Sequence, residues 1–362
     1  MTSQPPSILF VPASGASGCG EYYRCLTLAR MLRRESPQTG IGFVLHRNAD
    51  VELDRRFVYH RVSDTPARAV GEVAALLDEL RPGLVVFDSS GRVRHMRQAR
   101  RQGAAVTWIS DRPGKRFKAF RPHHMRQLDL HLIVDTRTNR RLKLHEKLLS
   151  LFSPRTRIRL VAGIVDLPLE KLLTEKHEML ARADRPYAVF VAGGGGYMHQ
   201  GRPVPDILVD AAARLARHSG IESVVVTGPQ YRGGITSHPE VKIIDSLPTA
   251  ALGALLGNAH IAVTGAGTML AAQVLSAPVP VVMVPAGGHD QPRRIRCFVR
   301  SGLVHSAPLE PDKIFEQAKN LLESRDARRA MVSRQRRHCL ATATLKAADC
   351  LLQLGQRSVP AG

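Results

Sequence analysis

The chain has 362 residues, 44% of them hydrophobic, which is enough for two α/β domains with cores of ordinary size. Its formal net charge is +21, yet aromatic residues make up only 5%; with few stacking platforms and no helix-turn-helix or RNA-binding motif, nucleic acid is not expected as a partner. No apolar run approaches the roughly 18 residues of a membrane span, and the N-terminus lacks the basic start and long apolar stretch of a secretion signal, so a cytoplasmic protein is expected.

The first elements are apolar runs spaced by helix-like segments. Strands are predicted at "SILFV" (7–11), "IGFVL" (41–45), "GLVVFD" (83–88), "AVTWIS" (105–110) and "LHLIVD" (130–135), with an amphipathic helix over 67–80. Strands this uniformly apolar, alternating with helices, indicate a parallel sheet covered on both faces. Overlapping this region is a basic block: Arg92 to Arg159 holds 19 Lys and Arg against 4 Asp and Glu. Such a block attracts anions, either a phosphorylated substrate or an acidic membrane surface, or else it is a solvated face.

The pattern then restarts after a linker placed in 163–186. "YAVFVAGGGGY" (187–197) reads as strand and glycine turn. It is followed by a helix (206–218), "SVVVTG" (223–228), "VKIID" (241–245), a helix (249–257), "IAVTGAG" (261–267), a further helix and "VPVVMVP" (279–285). The stretch from Pro311 is helical and basic. Two open α/β domains in tandem are expected, 1–165 and 166–362.

Three strand-to-helix turns are rich in glycine: "ASGASGCG" with Gly18 and Gly20, "AGGGG" with Gly194 and Gly195, and "TGAGT" with Gly265, Gly267 and Thr268. In open α/β sheets ligands bind beyond the carboxyl ends of the strands, where helix N-termini present free N–H groups to anions. Tight packing also selects glycine there, so each turn alone has two readings. Together they suggest a nucleotide. Neither dinucleotide-binding glycine spacing nor a Walker lysine is present. The five cysteines (Cys19, Cys25, Cys297, Cys339, Cys350) form an odd set without CxxC spacing, so neither a disulfide framework nor a zinc site is expected.

Two stretches carry a family resemblance. "GCGEYYRCLTLA" (18–29) resembles the opening of the UDP-sugar hydrolase of pseudaminic acid synthesis, which reads Gly-x-Gly-His followed by Arg and Leu-x-Leu-Ala. "TGAGTMLAAQVLSAPVPVVMVPAGGHDQPRRIRCFVRSG" (264–302) resembles the C-terminal domain of glycosyltransferases of the lipid II N-acetylglucosaminyltransferase type. The resemblance implies the GT-B fold, two Rossmann-like open parallel-sheet domains facing a cleft, with the acceptor on the N-terminal domain and a UDP-type nucleotide sugar on the C-terminal one. It implies no metal and no further cofactor.

Carried onto this sequence, the family's N-terminal histidine falls at Glu21, a departure. A carboxylate can still take a proton from a hydroxyl, but a first-turn Glu also complements a helix dipole. Asp88 and Asp111, at strand ends, match family aspartates that orient the acceptor. The family's ribose-gripping Glu falls at Gln273. Gly265, Gly267 and Thr268 match the diphosphate turn, and Asp290 and Gln291 match a sugar-contacting pair, with His289 before them. Arg293 and Arg294 face the phosphates or the solvent. His123 and His124 lack a third metal ligand at useful spacing. The expected activity is transfer of a sugar from a nucleotide diphosphate to an acceptor that is anionic or lipid-linked, with Glu21 as base. The alternatives are a nucleotide-sugar hydrolase, which the N-terminal motif favours, and a non-catalytic binder, which Glu21 and Gln273 favour.

Overall fold

The computed structural model describes residues 7–13, 20–135, 140–165, 186–338 and 341–357. The chain divides into two compact units: Met1–Ile164 with Thr342–Gly362, and Val165–Ala341. The terminal helix therefore belongs with the first unit, whereas the sequence suggested that it continued the second. The expected linker lies mostly outside the described residues.

Unit 1 contains β1 (Ile8–Pro12), α1 (Gly20–Glu35), β2 (Ile41–His46), β3 (Val58–Val62), α2 (Val70–Leu80), β4 (Leu84–Asp88), α3 (Val93–Arg101) and β5 (Ala105–Ser110). It continues with α4 (Pro113–Ala119), α5 (Pro122–Met125), β6 (Leu130–Val134), α6 (Leu144–Leu151) and β7 (Arg157–Val161). The seven strands are ordered β3-β2-β1-β4-β5-β6-β7 and every pairing is parallel. Alternate side chains of each strand enter opposite layers. Leu9 and Val11 join Phe87, Met96 and Trp108 in one core, while Phe10 stacks on Phe43 at 5.2 Å in the other. The topology reverses direction at β1 and β4, the place where open sheets of this kind accept ligands.

Unit 2 contains β8 (Tyr187–Val191), a small hairpin of β9 (Met198–His199) and β10 (Arg202–Pro203), α7 (Val204–Ser219), β11 (Glu222–Val226), β12 (Val241–Ile244), α8 (Thr249–Asn258) and β13 (Ile261–Gly265). After these come α9 (Thr268–Ser276), β14 (Val281–Val284), α10 (Gln291–Arg300), β15 (His305–Ser306), α11 (Pro311–Glu323) and α12 (Arg325–His338). Its six-stranded parallel sheet runs β12-β11-β8-β13-β14-β15, so its switch point is between β8 and β13. The glycine turns after β8 and β13 thus adjoin. The terminal helix α13 spans Ala341–Arg357.

Candidate functional site

In unit 1 the carboxyl edge of the sheet holds a buried charge cluster. Helix α1 starts at Gly20, which places Glu21 in its first turn and Arg24 one turn later, on the same side. Arg24 is almost wholly buried. Its Nε donates to Asp88 Oδ2 at 2.7 Å, Nη2 to Asp88 Oδ1 at 2.6 Å and Nη1 to Asp111 Oδ2 at 3.0 Å. One guanidinium thus ties α1 to the ends of β4 and β5, and its planar fork fits the Asp88 carboxylate bidentately. Cys25 Sγ lies 3.7 Å from the same Asp88. Glu21, itself 7% exposed, accepts a hydrogen bond from Arg112, the residue that caps α4. Arg112 Nε lies 3.7 Å from Asp111 Oδ1.

Burial pushes the Glu21 carboxyl above its ordinary range. Arg24 pulls it down, Asp111 and Asp88 push it up again, and Arg112 opposes them. Burial also pushes the Asp88 carboxyl above its ordinary range, against the pull of Arg24, so these two carboxylates differ in their hydrogen-bond partners rather than in the direction of their shifts. Both Asp88 oxygens are held by Arg24 and the residue is fully buried. Of the three expected catalytic residues, Glu21 is therefore the one not gripped by Arg24. The backbone around them is laced together: Ala13 N donates to Asp88 O at 2.9 Å, and Ser90 Oγ donates to Val11 O. Ser89 sits at φ +60°, uncommon for a residue with a side chain. Gly18 lies outside the described residues. At Gly20 an added Cβ would meet nothing within 4 Å.

In unit 2 the turn after β13 is built around Arg294. This residue of α10 donates to Ala266 O, to Thr268 Oγ1 at 3.0 Å and to Asp290. Gln291 Oε1 accepts from Ala266 N at 3.2 Å. The network thus fixes Thr268, Asp290 and Gln291 at the N-terminus of α9, whose N-cap is Gly267. The glycines here do different jobs. A Cβ on Gly265 would lie 2.8 Å from Ala192 O, whereas one on Gly267 would meet nothing within 4 Å. Gly265 is required by packing. Gly267 leaves open space at a helix N-terminus, where backbone dipoles favour anions.

Gly194 and Gly195 belong to a second, interlocked turn. Gly195 has φ +81°, and its Cβ would lie 2.2 Å from Thr227 O. Reciprocally, Gly228 has φ +99° and its Cβ would lie 2.3 Å from Gly193 O. Gln230 N donates to Gly194 O at 2.8 Å. Packing explains these glycines. Gln273 is buried and its Nε2 donates to Thr249 O at 3.0 Å, so part of its amide already serves α8. His289 and Arg293 are exposed.

His124 packs inside unit 1. It is buried, meets the Trp108 ring edge-on at 5.6 Å, and burial lowers its pKa to about 4. Among the described residues no three His, Cys, Asp or Glu gather as a metal site, and Cys25, Cys297 and Cys350 are free thiols. No helix among them is long and apolar enough to cross a membrane. Two residues of these networks were not singled out from the sequence as site residues, Arg24 and Arg112. The arginine of the 18–29 motif was the available signal for Arg24.

Part of the basic block forms a distinct surface. On α6 and just beyond it, Leu144 (75% exposed), Leu148 (53%), Leu151 (73%) and Phe152 (74%) project outward at helical spacing. Phe117 of α4 is also exposed; its ring lies 6.3 Å from that of His145 and 5.7 Å from the Arg121 guanidinium. Lys143, Lys147 and Arg155 are exposed around them. Beneath, Arg116 binds Glu146 and Asp135, fastening α4, α6 and the end of β6 together.

By sequence, the chain matches no protein-family model and no curated protein. Solved structures do resemble it. CalG4, the calicheamicin glycosyltransferase, superposes with TM-score 0.65 at 16% identity over 98% of this chain and 99% of its own. UGT2 of Phytolacca americana, complexed with UDP-2fluoro-glucose and pterostilbene, gives 0.69 at 13% identity over 98% and 99%. The spinosyn forosaminyltransferase SpnP gives 0.66 at 15% over 96% and 99%. With two parallel-sheet α/β units and likeness along its whole length, the chain has the GT-B fold.

Proposed function

We propose that the protein is a glycosyltransferase that moves a sugar from a nucleotide diphosphate donor, of the UDP type, to an acceptor hydroxyl. The observation that carries this reading is Glu21: a buried carboxylate with raised proton affinity, at the switch point of the unit 1 sheet, held by Arg112 but not gripped by Arg24. A carboxyl shifted towards working pH is suited to take a proton from the attacking hydroxyl. Arg24 fixes Asp88 and Asp111 as the supporting frame. On unit 2, the α9 N-terminus supplies positive charge where the departing diphosphate would rest, on a turn that Arg294 holds in place, which would allow displacement at the anomeric carbon without a metal.

The apolar face of α6 favours an acceptor presented at an anionic membrane. Exposed Leu and Phe rimmed by Lys and Arg suit an interface of hydrocarbon and acidic headgroups. α4, which carries Phe117, starts next to the Arg112 that holds Glu21. Hydrolysis is the second reading, because Glu21 would activate water by the same chemistry.

Calorimetric titration with UDP tests the donor site. Gly267→Asp adds bulk and negative charge at the open helix end and should abolish binding in a protein that remains folded. Unchanged UDP affinity would refute the placement. UDP-sugars supplied without any acceptor separate the two reactions, since prompt release of free sugar marks a hydrolase.

A further inference from the structure

A groove of about 570 Å³ opens on unit 2, well away from the glycine turns. Its floor is made by Ala259 and His260, just before β13, and Pro280, just before β14. Its wall is α12. Arg328, Val332 and Arg336 follow one another at four-residue spacing, and Arg329, Ser333 and Arg337 form the adjacent row. The helix is locked in this orientation from its other side. Val281 N donates to Met331 Sδ at 3.2 Å, and Gln335 Nε2 donates to Val279 O at 2.9 Å and Leu303 O at 2.8 Å. These anchors flank Pro280, so the groove floor and the arginine rows are held in register.

Arg328 is committed to the wall, donating to Leu321 O and Leu322 O at the end of α11. Arg329, Arg336 and Arg337 are exposed and, among the described residues, form no hydrogen bond or ion pair. α12 holds one acidic residue, Asp326, against six arginines. A helix whose surface serves only solubility mixes its signs; here like charges repel across one groove at a cost in stability.

We propose that this groove binds a phosphate-bearing anion with at least two phosphate groups. Guanidinium forks match phosphate oxygens bidentately, and three with no partner among the described residues line one cavity of small-ligand size. Val332 and Pro280 give it an apolar flank. It is separate from the turn at 264–268, because the two lie at opposite ends of β13, about 15 Å apart at roughly 3.3 Å per residue. The inference does not rest on the donor assignment. Its ligand is a soluble polyphosphate ester or a clustered lipid phosphate.

The test uses the full chain saturated with UDP, titrated calorimetrically with tripolyphosphate at low salt. The parent should bind it, and the triple variant Arg329→Ser, Arg336→Ser, Arg337→Ser should lose about tenfold or more in affinity. Its UDP affinity should match the parent's, and its melting curve should match or lie above the parent's, because the repulsion is relieved. In parallel, both proteins are sedimented with phosphatidylglycerol and phosphatidylcholine vesicles. Loss of tripolyphosphate binding identifies the soluble ligand, whereas loss confined to phosphatidylglycerol identifies the lipid phosphate. Parent and triple variant indistinguishable in both arms overturns the proposal. If the triple variant melts early, Arg337→Ser alone is read the same way.

Discussion

Replacing Glu21 by Gln tests the catalytic assignment directly. The shape is kept and Arg112 retains an acceptor, but the proton acceptor is gone. Loss of a positioned general base lowers turnover by about 10²–10⁴, equivalent to about 3–5 kcal/mol on the barrier. Stability should move differently. The cluster sets the carboxylates of Glu21, Asp88 and Asp111 against the guanidiniums of Arg24 and Arg112, and Gln brings the two signs into balance. Because burial raises the Glu21 pKa above 4.5, the folded protein keeps this proton where the unfolded chain has released it. Stability contributed by Glu21 is therefore greatest below pH 4.5 and falls as pH climbs to the folded-state value. Near about pH 8 the buried charge opposes folding. The lost pair with Arg112, which is half exposed, is worth at most about 1 kcal/mol. The variant should thus melt level with the parent or above it at about pH 8, and lose that advantage in acid. The assay is UDP release measured across pH, with scanning calorimetry on the same preparation. The parent's turnover should rise with pH on an acid limb whose midpoint lies above 4.5, a limb the variant lacks. Near-parent turnover together with a stability loss of roughly 0.3–1 kcal/mol would make Glu21 a partner of the helix dipole and refute the reasoning.

Three further outcomes follow from the same geometry. Arg24→Met leaves Asp88 buried without its counter-charge and should destabilise unit 1 by about 3–5 kcal/mol in urea melts; a shift under about 1 kcal/mol would mean that the cluster is solvated. Gly265→Ala should lower the melting temperature because its Cβ would meet Ala192 O at 2.8 Å, whereas Gly267→Ala should leave it unchanged. Equal effects at the two positions would contradict the division between packing and open space. Leu148→Glu with Phe152→Glu should weaken sedimentation with phosphatidylglycerol vesicles at low salt, and parent binding should weaken as salt rises; undiminished binding by the variant would remove α6 as the docking face.

The architecture was readable where strands are buried on both faces. β5 was expected over 105–110 and is found at Ala105–Ser110, with every residue buried. Five strands were missed: β9 and β10 pair only with each other in a two-residue hairpin, and the others are edges of the large sheets, where β3 reads "VYHRV" and β7 "RIRLV", half exposed and rich in polar residues, and β15 has two residues. An edge strand needs little apolar signal, because one side of it has no neighbour to satisfy. The turns after β8 and β13 lie where the sequence placed them, but sequence could not divide their glycines. Gly195 and Gly265 answer to atoms from distant segments, and Gly267 to none. Arg24 was harder still. An arginine in a helix ordinarily reads as surface, and only the third dimension brings Asp88 and Asp111, 64 and 87 residues on, to its guanidinium. The apolar face of α6 was hidden by the count of charges around it.

The reciprocal clasp of Gly195 and Gly228 bears on how this protein can be changed. Neither position can gain a side chain unless the opposite turn gives way, so in descent the two turns form one inherited unit, and a substitution in either would be tolerated only beside a matching one some thirty residues off. Anyone recombining this domain with a related one should place the crossover outside the whole stretch from Ala192 to Tyr231. A junction inside it would pair two halves of a clasp that never evolved together.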